Sequence, residues 1–309
     1  MDHVSKATRT IASIIVGYKN ENLTTEYVQK ELSKLDVETI VVIVSNSSTD
    51  EGCRFLRENL NACIVEADFS SYKSGHRVYV LNIKENLGFA KANNLGVDFI
   101  ARFFPEIEYV LFTNNDIRII DPQVVSVLID KYESVAGVGV IGPNILHVDG
   151  TRQTPMPMSY LWRNIWETLS YPLLSIRKHQ PVEYCDLAQE GFHYTFAECF
   201  FISRLKDYVA CGMMDPHTFL YAEGCILSER MKQIGLGYYF VPDVTVIHDN
   251  GSTTLKYLGT IVYKMISQSN AYYYRAYRGY SAFSVWCFLS VSNMMCKLAG
   301  LKRLLKKRL

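Results

Sequence analysis

The sequence predicts an α/β protein built on a doubly wound sheet, and three observations carry that expectation. Short β-branched apolar runs alternate with helix-like segments over the first 145 residues, the pattern of successive βαβ units. The run Ile40 to Val44 is unbroken by any polar residue, as a strand covered on both faces requires. The runs end in clusters of Asn, Asp, Ser or Gly, at the strand ends where open α/β sheets present groups to ligands.

Taken in order, Ile11 to Val16 reads as the first strand, and Thr24 to Leu35 as a helix with Tyr27, Val28, Leu32 and Leu35 on its apolar face. Ile40 to Val44 follows as a second strand, with Asn46 to Asp50 supplying turn and cap residues. Val78 to Ile83 is a third strand, Phe89 to Ile100 a helix, and Tyr109 to Thr113 a fourth strand that closes on Asn114, Asn115 and Asp116. Beyond Gly142 and Pro143 the pattern weakens, and prolines 155, 157, 172 and 181 among aromatics predict an irregular insertion over 150–195. Periodicity returns in FAECFFISRL as strand then helix, in ILSERMKQIG as helix, and in GYYFVPDVTVIH as strands broken by Pro242.

Composition is that of a globular chain, 49% hydrophobic and 20% charged. The eight cysteines form no CxxC pair, which points to reduced thiols and neither a zinc site nor a disulfide framework. No secretory signal is read at the N-terminus, so a cytoplasmic location is expected. A net charge of +1 conceals an asymmetry: all 31 acidic residues lie at or before Asp249, whereas ten of the 32 Lys and Arg lie beyond it. The body is therefore acidic, which argues against a nucleic-acid partner. After the tyrosines at 272–280, the apolar then basic stretch at 281–309 suits an interfacial helix on an anionic membrane, or a helical layer packed on the domain.

Five polar clusters could carry chemistry, each with a plainer alternative. VVIVSNSSTDEG sets Asn46 and Asp50 at a strand end, as a nucleotide pocket or any capped turn would. In ENLGFAKANNLG, Gly88 allows close backbone approach, so that the amides opening the helix face a diphosphate or the helix simply packs on the sheet. LFTNNDIRI delivers Asn114 and Asp116 at i and i+2, on one side of an extended segment, as hard oxygen ligands for a divalent cation or as members of an Asn/Asp turn. Glu223 lies between an aromatic stretch and a helix, where desolvation suits it to be a general base and the helix dipole suits it to be a cap. His248, after a strand, could complete a metal shell or serve structure.

In this order the pieces resemble the family 2 glycosyltransferases of the GT-A fold, particularly the rhamnosyltransferase-like branch acting on O-antigen and capsule chains. VSNSSTDEG resembles the VDNxSxD signature, NLGFAKANNLG the NxGFAxANNxG signature, and NNDIRI a variant of DxD; GPNILHVDG, FLYAEGCILSERMKQIG and YFVPDVTVIHDNGS follow as the later landmarks do. The resemblance runs from about Ile11 to Thr254. It implies a GT-A doubly wound mixed sheet in a domain 1–254, with a Rossmann-like nucleotide-sugar-binding half at 11–145, an acceptor half at 146–254, and a helical basic tail at 255–309.

By the same resemblance Tyr18, Asn46, Asp50, Asn86, Gly88, Asn94, Asn114 and Asn115 would serve the donor. Asp116 and His248 would hold Mg or Mn, and Glu223 would be the base with Asp215 as the alternative. The implied reaction is an inverting transfer from a UDP- or dTDP-sugar to a bacterial surface glycan, carried on a polyprenyl diphosphate where the acceptor is lipid-linked, at the inner face of the cell membrane. The chain departs from the pattern at Ser45, Asn114 and Gly224, where acids are usual, and at Ala197, where glycine is frequent. Those departures keep a second expectation open, a non-catalytic nucleotide-sugar or glycan-binding protein of the same fold.

Overall fold

The computed structural model describes residues 9–174, 189–249 and 261–306. Strands β1 (Thr10–Gly17), β2 (Glu38–Asn46), β3 (Cys63–Glu66), β4 (Val78–Ile83) and β5 (Tyr109–Thr113) run parallel. Five more, β6 (Ile117–Ile119), β7 (Val138–His147), β8 (Gly191–His193), β9 (Phe200–Arg204) and β10 (Gly237–His248), make the sheet mixed. Its order is β3-β4-β2-β1-β5-β9-β7-β10-β6, with β8 on β10 and β9 antiparallel to both β5 and β7. The β-branched runs sit at its centre because both faces are covered: Ile11, Ile15 and Ile43 face one buried cluster, and Ile14, Val42 and Val44 the other.

The covering helices follow from the sequence pattern. Helix α1 (Glu21–Glu26) continues through a π turn at Tyr27–Glu31 and a 3₁₀ turn at Leu32–Lys34. The expected helix at Thr24 to Leu35 therefore starts earlier and ends tightened. Helix α2 (Asp50–Leu60) is capped by the Thr49 side chain, which accepts the Gly52 amide. Helices α3 (Phe89–Phe103) and α4 (Val124–Ser134) complete the N-terminal half; α4 and β3 lay outside the sequence expectations.

Two expectations are corrected on the later half. Residues 150–195 are not uniformly irregular, because Leu161–Leu174 forms helix α5, whose Leu161 is fully buried. Nor does Pro242 end a strand: β10 runs on to His248, and the ladder with β7 shifts register between Val241 and Thr245 to pass the residue that lacks an amide hydrogen. Pro181, Cys185 and the 254/255 boundary lie outside the described residues.

Helices α6 (Leu205–Ala210), α7 (Glu223–Gln233), α8 (Ile261–Ala276) and α9 (Ala282–Lys306) follow. A third apolar cluster joins Leu161, Ile226, Tyr273, Tyr274 and Phe288, so α8 and α9 pack on α5 and α7. Burying aromatic rings such as Tyr273 and Tyr274 is worth on the order of 2 kcal/mol each. Among the described residues no helix is long and apolar enough to cross a membrane.

Candidate active site

The end of β5 is held so that two of its polar residues face one way. Asn115 is buried on the far side, its Nδ2 donating to Thr24 Oγ1 at 2.7 Å, while Tyr27 and Thr113 share a hydroxyl contact at 2.5 Å. That anchoring leaves the partly exposed Asn114 and Asp116 on the opposite side, as the alternation of an extended chain dictates. The Asn114 amide donates to the Cys199 carbonyl at 2.9 Å, so the approach to β9 lies against the same corner.

The antiparallel register of β6 and β10 pairs His248 with Ile117 and brings its ring to Asp116. His248 Nε2 stands 3.2 Å from Asp116 Oδ1, and His248 Nδ1 stands 3.0 Å from Gln153 Oε1. Burial alone would lower the His248 pKa, but the Asp116 carboxylate and the Cys199 thiol outweigh it and raise it to about 10. A cation held by both side chains would have to displace that proton. No group of three or more His, Cys, Asp or Glu side chains that could hold a metal ion occurs among the described residues. Asp116 and His248 therefore fit as part of a cation's shell, the rest coming from water or from a ligand's own oxygens.

The other residues expected to serve a donor are mostly engaged with protein. Asn46 donates to Asn86 Oδ1 at 2.9 Å and accepts from the Leu87 amide at 2.8 Å, tying the end of β2 to the loop after β4. Asn86 Oδ1 also accepts the Gly88 amide at 3.0 Å. Gly88 adopts a φ of 80°, and a Cβ there would lie 2.4 Å from the Phe219 carbonyl oxygen. Close approach is thus required, yet the approaching group is Phe219, whose carbonyl also takes the first amide of α3 at 2.9 Å. Asn94 clamps Met214, giving to its carbonyl at 2.8 Å and taking from its amide at 3.2 Å. Asp50 stands exposed beside Lys84, which holds its carboxyl below the usual range. Tyr18, partly exposed, has Lys19 over its ring.

The two candidate bases differ sharply. Glu223 opens α7 after Tyr221 and Ala222, both left-handed at φ 76° and 66°. It is 5% exposed, and its Oε1 has no partner. Burial pushes it up to about 7, against the pull of neighbouring backbone amides. Asp215 is 2% exposed and fully engaged: it accepts from the hydroxyls of Tyr272 at 2.8 Å and Tyr277 at 2.5 Å and from His217 at 2.7 Å, with Arg230 at 3.3 Å. Burial would raise its pKa, but those donors, Tyr277 foremost, hold it far below the usual carboxylate range.

One residue went unread in the sequence. Glu198, in the turn entering β9, has an Oε1 buried without a partner and approaches Gly224 beside Glu223. The only signal was an acid inside the apolar segment FAECFF.

No protein-family model matches the sequence, and no curated protein matches it. Solved structures do. The mannosyltransferase PcManGT of Pyrobaculum calidifontis, in complex with GDP-Man and Mn²⁺, superposes with a TM-score of 0.55 at 13% identity, over 96% of this chain and 76% of that one. TarS of S. aureus superposes with a TM-score of 0.51 at 16% identity, over 86% of this chain but only 40% of TarS. Its 1–349 fragment in complex with UDP-GlcNAc gives 0.51 at 17%, over 84% and 65%. These likenesses define the class of fold: a mixed α/β sheet of the GT-A type, shared with glycosyltransferases.

Proposed function

We propose that the chain is an inverting, metal-dependent glycosyltransferase that takes a sugar from a nucleoside-diphosphate donor. One observation carries the reading: at the end of β5 the Asp116 carboxylate stands 3.2 Å from the His248 ring, in a fold whose solved relatives include complexes with GDP-Man plus Mn²⁺ and with UDP-GlcNAc. Asp116 and His248 would hold Mg²⁺ or Mn²⁺. When bound, the cation supplies positive charge for the leaving diphosphate. Asn114, on the same side of the strand, serves a donor oxygen. Asn46, Asn86, Gly88 and Asn94 act by shaping the loops around the pocket, and Tyr18, Asn115 and Asp50 by framing it.

In the proposed step an acceptor hydroxyl oxygen attacks the anomeric carbon. The bond from that carbon to the phosphate oxygen breaks, the nucleoside diphosphate leaves with the electron pair, and Glu223 takes the hydroxyl proton. Glu223 suits the task because its ionisation falls near neutrality, whereas Asp215, crowded by donors, is a poor proton acceptor and serves as an anchor. The test is release of nucleoside diphosphate from a panel of UDP-, dTDP- and GDP-sugars with and without Mn²⁺. Metal-dependent release by the wild type and its loss in Asp116→Ala are expected; release unaffected by the substitution sinks the metal assignment, and no release from any donor favours the non-catalytic binding reading.

The acceptor proposed is a bacterial surface glycan of the O-antigen or capsule kind, presented at a membrane. In support, Trp162 and Trp166 of α5 and Phe283 and Trp286 of α9 are each more than half exposed, ahead of the basic run from Lys297 to Arg308, a combination suited to an anionic interface. Vesicles containing anionic lipid should float the wild-type protein, and the pair Trp162→Ser and Trp286→Ser should reduce flotation severalfold; no difference removes the membrane contact.

A further inference from the structure

Gly224 is the second residue of α7, where ordinary helical backbone makes no demand for glycine. Space makes the demand: a Cβ on it would lie 2.8 Å from Glu198 Cδ and 2.7 Å from Thr195 Oγ1. The volume left by the missing side chain is filled by the Glu198 carboxyl, brought from the turn that enters β9. Two side-chain oxygens beside this glycine, on Glu198 and Thr195, and a third on the preceding residue, Glu223, are buried with no hydrogen-bond partner. So many orphaned oxygens at one point are costly in a protein interior and recur where a ligand or a proton completes the set. The same turn carries Cys199, whose carbonyl receives the Asn114 amide, so it links this corner to the end of β5.

We propose that Glu198 supplies the second carboxyl of the acceptor-side base, reaching Glu223 through the space that Gly224 leaves and positioning it by donating a hydrogen bond. In the resembling family that second acid follows the first directly; here position 224 is glycine and the carboxyl comes from a different strand. The proposal rests on Glu223 being the base.

The surroundings fix which carboxyl keeps its proton. Burial, then the charge of Glu223, push Glu198 well above the ordinary range, opposed by the Gly224 amide and the Tyr238 hydroxyl. Glu223 ionises first, near 7. The titratable groups that face the pair are Tyr208, Tyr221, Cys225 and Tyr238, all pushed up by burial and therefore neutral. Among the described residues no Lys, Arg or His acts on either carboxyl. Two charges cannot be sustained there, so a neutral Glu198 faces an ionised Glu223 and gives it a donor.

Glu198→Gln keeps a neutral donor of the same shape, and Glu198→Ala removes it. With the donor substrate found by nucleotide release, Glu198→Ala should lower kcat at pH 7 by about ten- to hundredfold and move the acid limb of its pH profile upward by about one unit, with donor KM unchanged within twofold. Glu198→Gln should restore kcat to within about threefold. At pH 8.5 the wild type should show the infrared carbonyl stretch of a protonated carboxylic acid, and Glu198→Gln should lack it.

A wild-type kcat and limb in the Ala variant, a Gln variant as impaired as Ala, or a band that survives in Gln would each overturn the role of Glu198. Should the Ala variant not fold, the Gln variant and its band decide alone. Glu223→Gln run in parallel separates the two claims: normal turnover there refutes the base itself, whereas a dead Glu223→Gln beside a normal Glu198→Ala refutes only the partnership.

Discussion

Leaving a buried carboxylate oxygen without a donor costs on the order of 1–3 kcal/mol, and Glu223 carries one. Sites that tolerate such a cost use it in binding or in proton transfer. Glu223→Gln should lower turnover by about a hundred- to ten-thousandfold while calorimetry shows donor binding unchanged, and wild-type kcat should rise with pH through about 7. Stability runs the other way. The folded carboxyl has its pKa raised from 4.5 to about 7, so the native state binds more protons between those values. Its contribution is whole below pH 4.5 and lost as pH rises through 7, by on the order of 3 kcal/mol. Denaturation at pH 5 and pH 8 should show that fall in the wild type and not in Glu223→Gln. Asn114, Asp116 and Glu223 were legible because strand alternation and a local aromatic stretch are properties of a few adjacent residues. Glu198 was not, because it meets Gly224 only once β9 is inserted between β5 and β7.

Among the elements, the loop from Gly212 to Ala222 does most to shape the candidate site. It carries Asp215, lays the Phe219 carbonyl on Gly88 and ends in two left-handed residues that aim Glu223. Non-glycine residues held there cost about 1–3 kcal/mol each and persist only where the surroundings over-determine them. Gly88→Ala would place a Cβ 2.4 Å from the Phe219 oxygen at a φ of 80°, and should destabilise the protein by about 2–4 kcal/mol. Thermal unfolding checks this, and an unchanged midpoint would mean that the loop yields freely. The sequence showed that something approaches Gly88 closely. That the visitor is Phe219, rather than a phosphate, depends on a contact across 131 residues that no local pattern contains.

On the scale of the whole molecule, helix α7 and the C-terminal helices are joined at Asp215. Its carboxylate gathers hydroxyls from Tyr272 and Tyr277 of the C-terminal region and the guanidinium of Arg230 on α7. Asp215→Asn should therefore destabilise the fold by about 2–4 kcal/mol, since buried donors lose a charged acceptor. Because the folded pKa is depressed, this contribution is present above the ordinary carboxylate range and lost as pH falls through the lower folded value. Melting curves at neutral and acid pH should converge for wild type and Asp215→Asn as acid is added. That the tail is helical, aromatic and basic was legible from composition. That it docks on α5 and α7 through an apolar cluster and through Asp215 was not, because a tyrosine stripe fits a lipid surface and a buried layer alike.

The central claim is that Asp116, with His248, holds a cation that in turn holds the donor's diphosphate. Titration calorimetry of UDP, dTDP and GDP into the wild type and into Asp116→Ala, each with and without Mn²⁺, tests it directly. At least one nucleotide should bind the wild type at least about tenfold more tightly with Mn²⁺ than without it, and the metal should give Asp116→Ala no such gain. An Asp116→Ala protein that binds the same nucleotide with the full metal-dependent gain would contradict it.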